Sequence, residues 1–188
     1  MSEHGRVQPS LQRASALRSD SIARAAISIE PLAAATRFSL RLQAQAAAEI
    51  GAIRLDMPMN TLSRAQGVCS ARLGPDEWLL LADEADGLQL EQELRSALTG
   101  RFHSLVDISH RHAALTVAGL RAREILNSGC PLDLHDSAFP PGTAKRTLFG
   151  KVEIVLLRPE AAQAYRVECW RSFAPYVQAL LLDVAREF

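Results

Sequence analysis

Two histidines stand two residues apart in the segment VDISHRHAALTVAGL, which covers residues 106–120. His110 and His112 could bind a metal ion, act as general bases or help to hold an anion. In a β-strand, residues i and i+2 point to the same face, so both imidazoles could reach one ion. Two ligands do not complete a metal site, and the fold would have to bring in His103 and His135 as well.

The apolar pattern around the histidines argues against a shared face. Val106 and Ile108 are apolar at even positions, whereas Leu115 and Val117 are apolar at odd positions. Because the alternation slips by one residue, we predict a turn or bulge between residues 109 and 112. The two imidazoles then need not face the same way, which makes a metal site the weaker interpretation.

Asp107 is the carboxylate of the same segment, and it has two interpretations. It could be a catalytic group at the end of a strand. Alternatively, it accepts hydrogen bonds from the Ser109 hydroxyl and nearby amides, or it pairs with Arg111. The sequence favours this structural role, and it favours ordinary polar or interface contacts for His110 and His112.

The rest of the chain carries no familiar catalytic or nucleotide-binding motif. It has neither a G-x-S-x-G nor a G-x-G-x-x-G pattern, and GTAKRTLFGK lacks the spacing of a P-loop. The segment CWRSFAPYV instead holds Trp170, Arg171, Phe173 and Tyr176 close together. Aromatic residues on helices usually belong to the core, but with arginine they also suit an interface. Arg171 and Arg37 could both make bidentate contacts.

Composition narrows the class of protein. The 188 residues suffice for one sizeable domain, and 48% apolar residues with 22% charged residues are typical of a folded chain. Since 21 basic residues balance 21 acidic ones, the strongly basic surface of a nucleic-acid-binding protein is not expected. No apolar run is long enough to span a membrane. Cys69, Cys130 and Cys169 are odd in number and widely spaced, which indicates a reducing, cytoplasmic location.

The elements that position these residues form two similar halves. We predict an N-terminal arm over residues 1–30 and a single α+β domain over residues 31–188, divided into pseudo-repeats at about 36–109 and 110–188. Gly51 and Gly129, both candidate helix C-caps, are about 78 positions apart, which fits an internal duplication. We expect antiparallel sheets with helices packed on one side.

Hydrophobic periodicity places the elements within each half. In the first half it predicts a strand at 37–43, a short helix at 44–51, an extended piece at 53–57, a hairpin at 67–83 and a helix at 86–100. In the second half it predicts a strand at 113–119, a helix at 120–129, an extended piece at 130–134, a hairpin at 143–158 turning at Gly150, a strand at 164–170 and a closing helix at 172–188 with Ser172 as N-cap. The loop at 135–145 is rich in proline, and such loops often carry contacts.

Four separated segments resemble a known family. Residues 74–83, 106–134, 142–158 and 165–181 look like the gamma subunit of heterotetrameric sarcosine oxidase. That family is in turn similar to the folate-binding domain of glycine-cleavage aminomethyltransferases. In those enzymes a D-[VL]-S-H segment, whose Asp is important for aminomethyl transfer, looks like the stretch from Asp107 to His110 here.

This resemblance implies an aminomethyltransferase folate-binding-domain-like fold and a non-catalytic subunit that docks on alpha, beta and delta subunits. The family complex demethylates sarcosine oxidatively to glycine, with hydrogen peroxide and with formaldehyde or methylenetetrahydrofolate. FAD, FMN and NAD are expected in partner subunits, zinc in the delta subunit, and tetrahydrofolate as acceptor. None of these groups, and no metal, is expected in this chain.

The resemblance leaves Asp107 as a vestigial catalytic candidate. The alternative function is a folate-binding or aminomethyltransferase-like enzyme that uses Asp107. The candidates for partner contacts are His110, Arg111, His112, Trp170, Arg171, Phe173 and Tyr176.

Overall fold

Two antiparallel sheets lie face to face, and helices cover the outer side of each sheet. The computed structural model describes residues 15–24, 26–43, 49–51, 53–160 and 163–188. The strands of the first sheet are β3 (Ala35–Leu42), β6 (Leu62–Ala65), β7 (Val68–Arg72), β8 (Glu77–Asp83) and β9 (His103–Asp107). They form a five-stranded sheet in the order β6-β7-β8-β3-β9.

The second sheet has six strands. They are β1 (Ile22–Arg24), β2 (Ile27–Pro31), β10 (His112–Ala118), β11 (Thr143–Phe149), β12 (Val152–Arg158) and β13 (Ala164–Trp170). Their order is β1-β2-β10-β13-β12-β11. A small ribbon pairs β4 (Glu49–Ile50) with β5 (Ile53–Arg54), and the α-helices are α1 (Gly87–Ala97), α2 (Ala122–Asn127) and α3 (Ala174–Val184). Short 3₁₀ turns occupy Glu84–Asp86 and Ala185–Glu187.

The alternation of apolar residues along the strands creates three core layers. On β8, Trp78 and Leu80 pack with α1, whereas Leu79 and Leu81 face the other sheet. The inner strands are therefore apolar on both faces, which is the pattern of sheets covered on two sides. The α2 and α3 helices close the third layer over the six-stranded sheet. The predicted α+β class, with antiparallel sheets and helices on one side of each, is confirmed.

The strand orders reveal how the two halves are related. Read from the other edge, the five-stranded sheet runs β9-β3-β8-β7-β6, and the six-stranded sheet runs β2-β10-β13-β12-β11 after β1. β3 therefore corresponds to β10, and the meander β6-β7-β8 corresponds to β11-β12-β13. β2 precedes β3 in the chain but pairs with β10, while β9 precedes β10 but pairs with β3. Each half thus contributes its first strand to the sheet of the other half.

This arrangement corrects the predicted arm. Residues 22–24 and 27–31 form β1 and β2 of the six-stranded sheet, and the side chains of Ile27 and Ile29 are buried in its core. The segment AISIEP alternates like a strand. Its backbone pairs with β10, and its isoleucines pack in the core. Residues 1–14 of the predicted arm lie outside the described residues. The predicted division at 109/110 falls one strand late, because β9 corresponds to β2 and is therefore the first strand of the second half.

Most of the predicted elements are present, with three differences. The short helix predicted at 44–51 falls largely on residues 44–48, outside the described residues, and Glu49–Ile50 pairs as a strand, so Gly51 (φ 58°) belongs to a hairpin turn. Ser172 does not cap α3, since Phe173 occupies the N-cap position and the side chain makes no cap hydrogen bond. The sequence also missed β6, which completes the meander of the first half.

Candidate functional site at the crossing between the sheets

The connection after β9 crosses from one sheet to the other. β9 ends at Asp107 in the five-stranded sheet, and β10 begins at His112 in the six-stranded sheet. The Ile108 N–H donates to the Arg37 carbonyl at 2.8 Å, and the Arg111 N–H donates to the Ile108 carbonyl at 3.0 Å. The predicted turn at 109–112 is confirmed. The alternation slips there because the chain changes sheets.

Asp107 and Ser109 hold this crossing together. Asp107 Oδ1 accepts a hydrogen bond from the Ser109 N–H at 2.7 Å, and the Ser109 hydroxyl accepts one from the Arg37 N–H at 2.8 Å. A carboxylate that accepts from the amide two residues later is a common turn-stabilising arrangement. The Ser109 amide is one of the nearby amides that the sequence predicted as donors to Asp107. These contacts favour a structural role for the carboxylate, although its side chain is exposed.

A buried ion cluster joins the two sheets beside the crossing. Arg37 on β3 donates from Nε to Glu168 Oε2 on β13 at 2.7 Å, and both side chains are at most 1% exposed. Arg166 donates from Nε to the other carboxylate oxygen, also at 2.7 Å. Arg37 Nη1 donates to the Ala35 carbonyl at 3.0 Å. Removing Glu168 would leave the buried Arg37 charge uncompensated, so the Arg37–Glu168 pair ties the sheets together.

His110 and His112 lie in different surroundings. His110 is exposed, whereas His112 is buried and borders two small cavities of about 140 and 180 Å³. Burial lowers the pKa of His112; the charge of Glu168 opposes this shift, and the charge of Arg111 reinforces it. The imidazole is therefore neutral at pH 7, and among the described residues its Nδ1 has no hydrogen-bond partner.

The other candidate ligands and thiols are dispersed. His103 Nδ1 lies 2.8 Å from the Arg101 carbonyl, and His135 Nδ1 lies 2.8 Å from the Ser137 hydroxyl. Within the described ranges, no group of three or more His, Cys, Asp or Glu side chains is placed to hold a metal ion. All three cysteines are free, and burial raises the pKa of Cys169 to about 12, so this thiol is protonated at neutral pH.

An exposed aromatic patch adjoins the ion cluster. We call Arg111, Trp170 and Phe173 the aromatic patch; Tyr176, about one turn further along α3, is exposed to a similar degree. The Arg111 guanidinium lies 5.5 Å from the centre of the Trp170 ring, and the rings of Trp170 and Phe173 are 6.4 Å apart. The three aromatic side chains are between 44% and 46% exposed. The Arg171 N–H donates to the Arg111 carbonyl at 2.7 Å, which joins the two strand ends that carry the patch.

Arg166 and Glu168 are site residues that the sequence pattern does not reveal. In AYRVECW they alternate with Tyr165, Val167 and Cys169, so they share one face of β13. A charged face of a strand usually meets water, and nothing local shows that a second sheet covers it. The proline-rich loop at 135–145 makes a contact within the chain, because its Asp136 binds Arg158 of the six-stranded sheet at 2.6 Å.

Comparisons with known proteins identify the family. A family model described as "Sarcosine oxidase, gamma subunit family" matches residues 40–187. The chain belongs to this family. It is 33% identical over 124 residues to the sarcosine oxidase subunit gamma of Arthrobacter sp., which covers 66% of this chain and 60% of that one. For the corresponding subunit of Corynebacterium sp. strain P-1, the identity is 32% over 65% of this chain and 59% of that one.

Solved structures agree on the fold. A chain of the heterotetrameric sarcosine oxidase from Corynebacterium sp. U-96, solved in complex with pyrrole 2-carboxylate, superposes with a TM-score of 0.80 at 26% identity, covering 89% of this chain and 88% of that one. The glycine cleavage system aminomethyltransferase T of Bartonella henselae gives a TM-score of 0.69 at 12% identity, covering 87% of this chain and 47% of that one. The second likeness shows a shared fold, as expected from the D-I-S-H segment.

The chain spans about three fifths of the length of these curated relatives. The matched regions span 60% and 59% of the two curated relatives named above. Among the described residues, no helix is both long and apolar enough to cross a membrane.

Proposed function

We propose that this chain is the gamma subunit of a heterotetrameric sarcosine oxidase and that it docks on catalytic subunits without taking part in the chemistry. The observation that carries the proposal is that neighbouring residues at the connection between β9 and β10 have different roles. Asp107, Ser109 and Arg37 are engaged in holding the fold, whereas the neighbouring aromatic patch is exposed. Aromatic residues and arginine are the side chains that most often anchor protein interfaces.

The complex would oxidise sarcosine to glycine and release hydrogen peroxide, with the one-carbon unit leaving as formaldehyde or as methylenetetrahydrofolate. In this proposal, FAD, FMN and NAD are bound by the alpha and beta subunits, zinc by the delta subunit, and tetrahydrofolate is the one-carbon acceptor. The aromatic patch would lie near the centre of an interface that buries more than about 1,600 Å². The reaction and partners would place the complex in the cytoplasm.

Expression with and without partner chains tests this proposal. Co-expressed with the alpha, beta and delta chains of the same organism, the protein should co-purify in a complex that forms peroxide from sarcosine. Expressed alone and supplied with FAD, FMN and NAD, it should form none above the rate without protein. Sarcosine-dependent peroxide from the isolated chain would contradict the proposal, and so would a fully soluble chain that never co-purifies with its partners.

A folate-binding or aminomethyltransferase-like enzyme is the second candidate. The observation in its favour is that Asp107 is exposed at a strand end on a scaffold shared with an aminomethyltransferase. Titration calorimetry with tetrahydrofolate separates the two functions. We expect no heat of binding from the isolated chain. Micromolar binding that Asp107→Asn abolishes and His110→Gln retains would favour the enzyme.

A further inference from the structure

The outer edge of β9 offers unpaired backbone groups. β9 pairs on one side with β3, and in the described residues it has no neighbouring strand on the other side. Ile108 bonds to Arg37, so the alternation of an antiparallel ladder directs Ser104 and Val106 toward β3 as well. The N–H and carbonyl groups of His103, Leu105 and Asp107 therefore point away from the sheet.

The internal repeat shows that this edge has a covered counterpart. β9 corresponds to β2, and β2 is flanked by β1 through three antiparallel residue pairs. The chain itself provides β1, because Ile22–Arg24 stands just before β2 in the sequence and pairs with it. Before β9 there is no such strand, since α1 ends at Ala97 and only the short segment 98–102 precedes His103. The position next to β9 that matches β1 can therefore be filled only from elsewhere.

Apolar side chains are exposed along the same edge. Phe102, directly before β9, is 88% exposed, and Val106 within it is 50% exposed. Natural proteins usually protect an edge strand with charges, proline or a covering element, because a bare edge pairs with other strands. Here Ser104, between these two residues, is small and uncharged. The edge has the features of a strand that is covered in the working protein.

We propose that an extended segment of a partner subunit adds to β9 as an antiparallel strand, at the position that β1 occupies in the other sheet. The incoming segment would bond to the backbone of His103, Leu105 and Asp107 and place an aliphatic side chain against Val106. This inference rests on the proposed function, since it needs a partner chain. Residues 1–14 of this chain are the poorer occupant, because they contain Gly5 and Pro9 and have Val7 as their one β-branched residue.

Amide hydrogen exchange in the assembled complex tests the proposal directly. The amides of His103, Leu105 and Asp107 should exchange at least about tenfold more slowly in the complex than in the free subunit, because pairing removes them from water. An intact, active complex in which these amides exchange as fast as in the free subunit overturns the strand addition and leaves the proposed function standing. A wild-type chain that fails to assemble overturns both.

Two further outcomes identify a wrong occupant. Protection that is already present in the free subunit, and is lost when residues 1–14 are removed, would assign the edge to this chain. Protection that grows with the concentration of the free subunit, together with dimer formation, would assign it to a second copy. Either result overturns the proposal of a partner strand.

Substitution of Val106 adds a test of affinity with a matched control. Val106→Lys places a charge on the edge of β9 and should weaken assembly about tenfold or more. Leu148→Lys is the control, because Leu148 is 48% exposed and lies on β11, an edge strand of the other sheet. It should change assembly less than about threefold. Equal effects of the two substitutions would contradict the role of β9.

Discussion

The ion cluster and the aromatic patch differ in exposure although they share one strand. Glu168 and Trp170 stand two residues apart on β13 and so point to the same face. The five-stranded sheet covers Glu168, whose carboxylate binds Arg37, but it leaves Trp170 45% exposed. The face of a strand therefore does not decide burial here; the extent of the opposite sheet does. The covered position holds the fold together, and the uncovered one is available to a partner.

The largest change in folding stability is expected from a substitution that breaks the ion cluster. Glu168→Ala should lower the free energy of unfolding by about 3–5 kcal/mol, because Arg37 and Arg166 would lose their buried counter-charge. Urea unfolding of the isolated subunit measures the loss. The double variant Arg37→Met with Glu168→Leu should recover part of it, since the buried Arg37 charge leaves with Glu168, whereas Arg166, whose side chain is 25% exposed, keeps its charge partly in water. A loss below about 1 kcal/mol for Glu168→Ala would show that the cluster does not join the sheets.

The aromatic patch should respond in the opposite way. Trp170→Ala combined with Phe173→Ala should weaken docking on the partner subunits by about 2 kcal/mol or more, roughly 30-fold. The free energy of unfolding should change by no more than about 1 kcal/mol, because both rings are nearly half exposed. Surface plasmon resonance and urea unfolding give the two values. Leu88→Ala, at a 70% exposed residue on α1, is the control and should leave docking unchanged.

If the Trp170→Ala, Phe173→Ala variant docks as tightly as wild type, the aromatic patch does not bind a partner. If it loses docking affinity and folding stability together, the aromatic patch contributes to the fold, as the ion cluster does.

The smallest effect concerns pH. Burial lowers the pKa of His112 below its usual 6.5, so the unfolded chain binds this proton more readily than the folded one. The contribution to stability is complete above pH 6.5 and is lost as the pH falls from there toward the folded pKa. Burial is the main cause of this lowered pKa; the charges of Arg111 and Arg37 also lower it, whereas the charge of Glu168 and a hydrogen bond with the Ile108 backbone raise it. Unfolding measured from pH 7.5 to 5 should show stability falling below pH 6.5.

The His112→Gln variant provides the control for this prediction. Its unfolding free energy should fall less steeply below pH 6.5, whereas His110→Gln, at an exposed position, should behave as wild type. The same slope in all three proteins would show that His112 is not the group responsible.

Patterns among adjacent residues predicted several of the strands and turns. The hairpin at 143–158 was predicted with its turn at Gly150, because a Gly-Lys pair separates two strand-like runs, and Gly150 has the φ of 59° that suits such a turn. The turn at the crossing also followed from the slip in alternation between Ile108 and Leu115. These features depend on residues adjacent in sequence, and so a single sequence can reveal them.

The missed features depend on distant parts of the chain. β6 is a short edge strand with Arg64 in its middle, and its identity comes from pairing with β7. The burial of Glu168 depends on Arg37, which lies 131 residues away in sequence. Gln178 is likewise buried because it bonds to the backbone of Arg18 and Asp20, 160 and 158 residues away. No periodicity within a segment carries this information.

The exchange of first strands between the halves has a consequence during protein synthesis. Ile29 on β2 pairs with Val117 on β10, so the earlier strand waits for a partner 88 residues further along (117 minus 29). At ordinary translation rates this wait lasts about 4 to 18 seconds, during which the apolar face of β2 has no native cover. Neither half can mature as an independent unit on the ribosome. A nascent chain of this kind is expected to depend on chaperones until β10 has emerged.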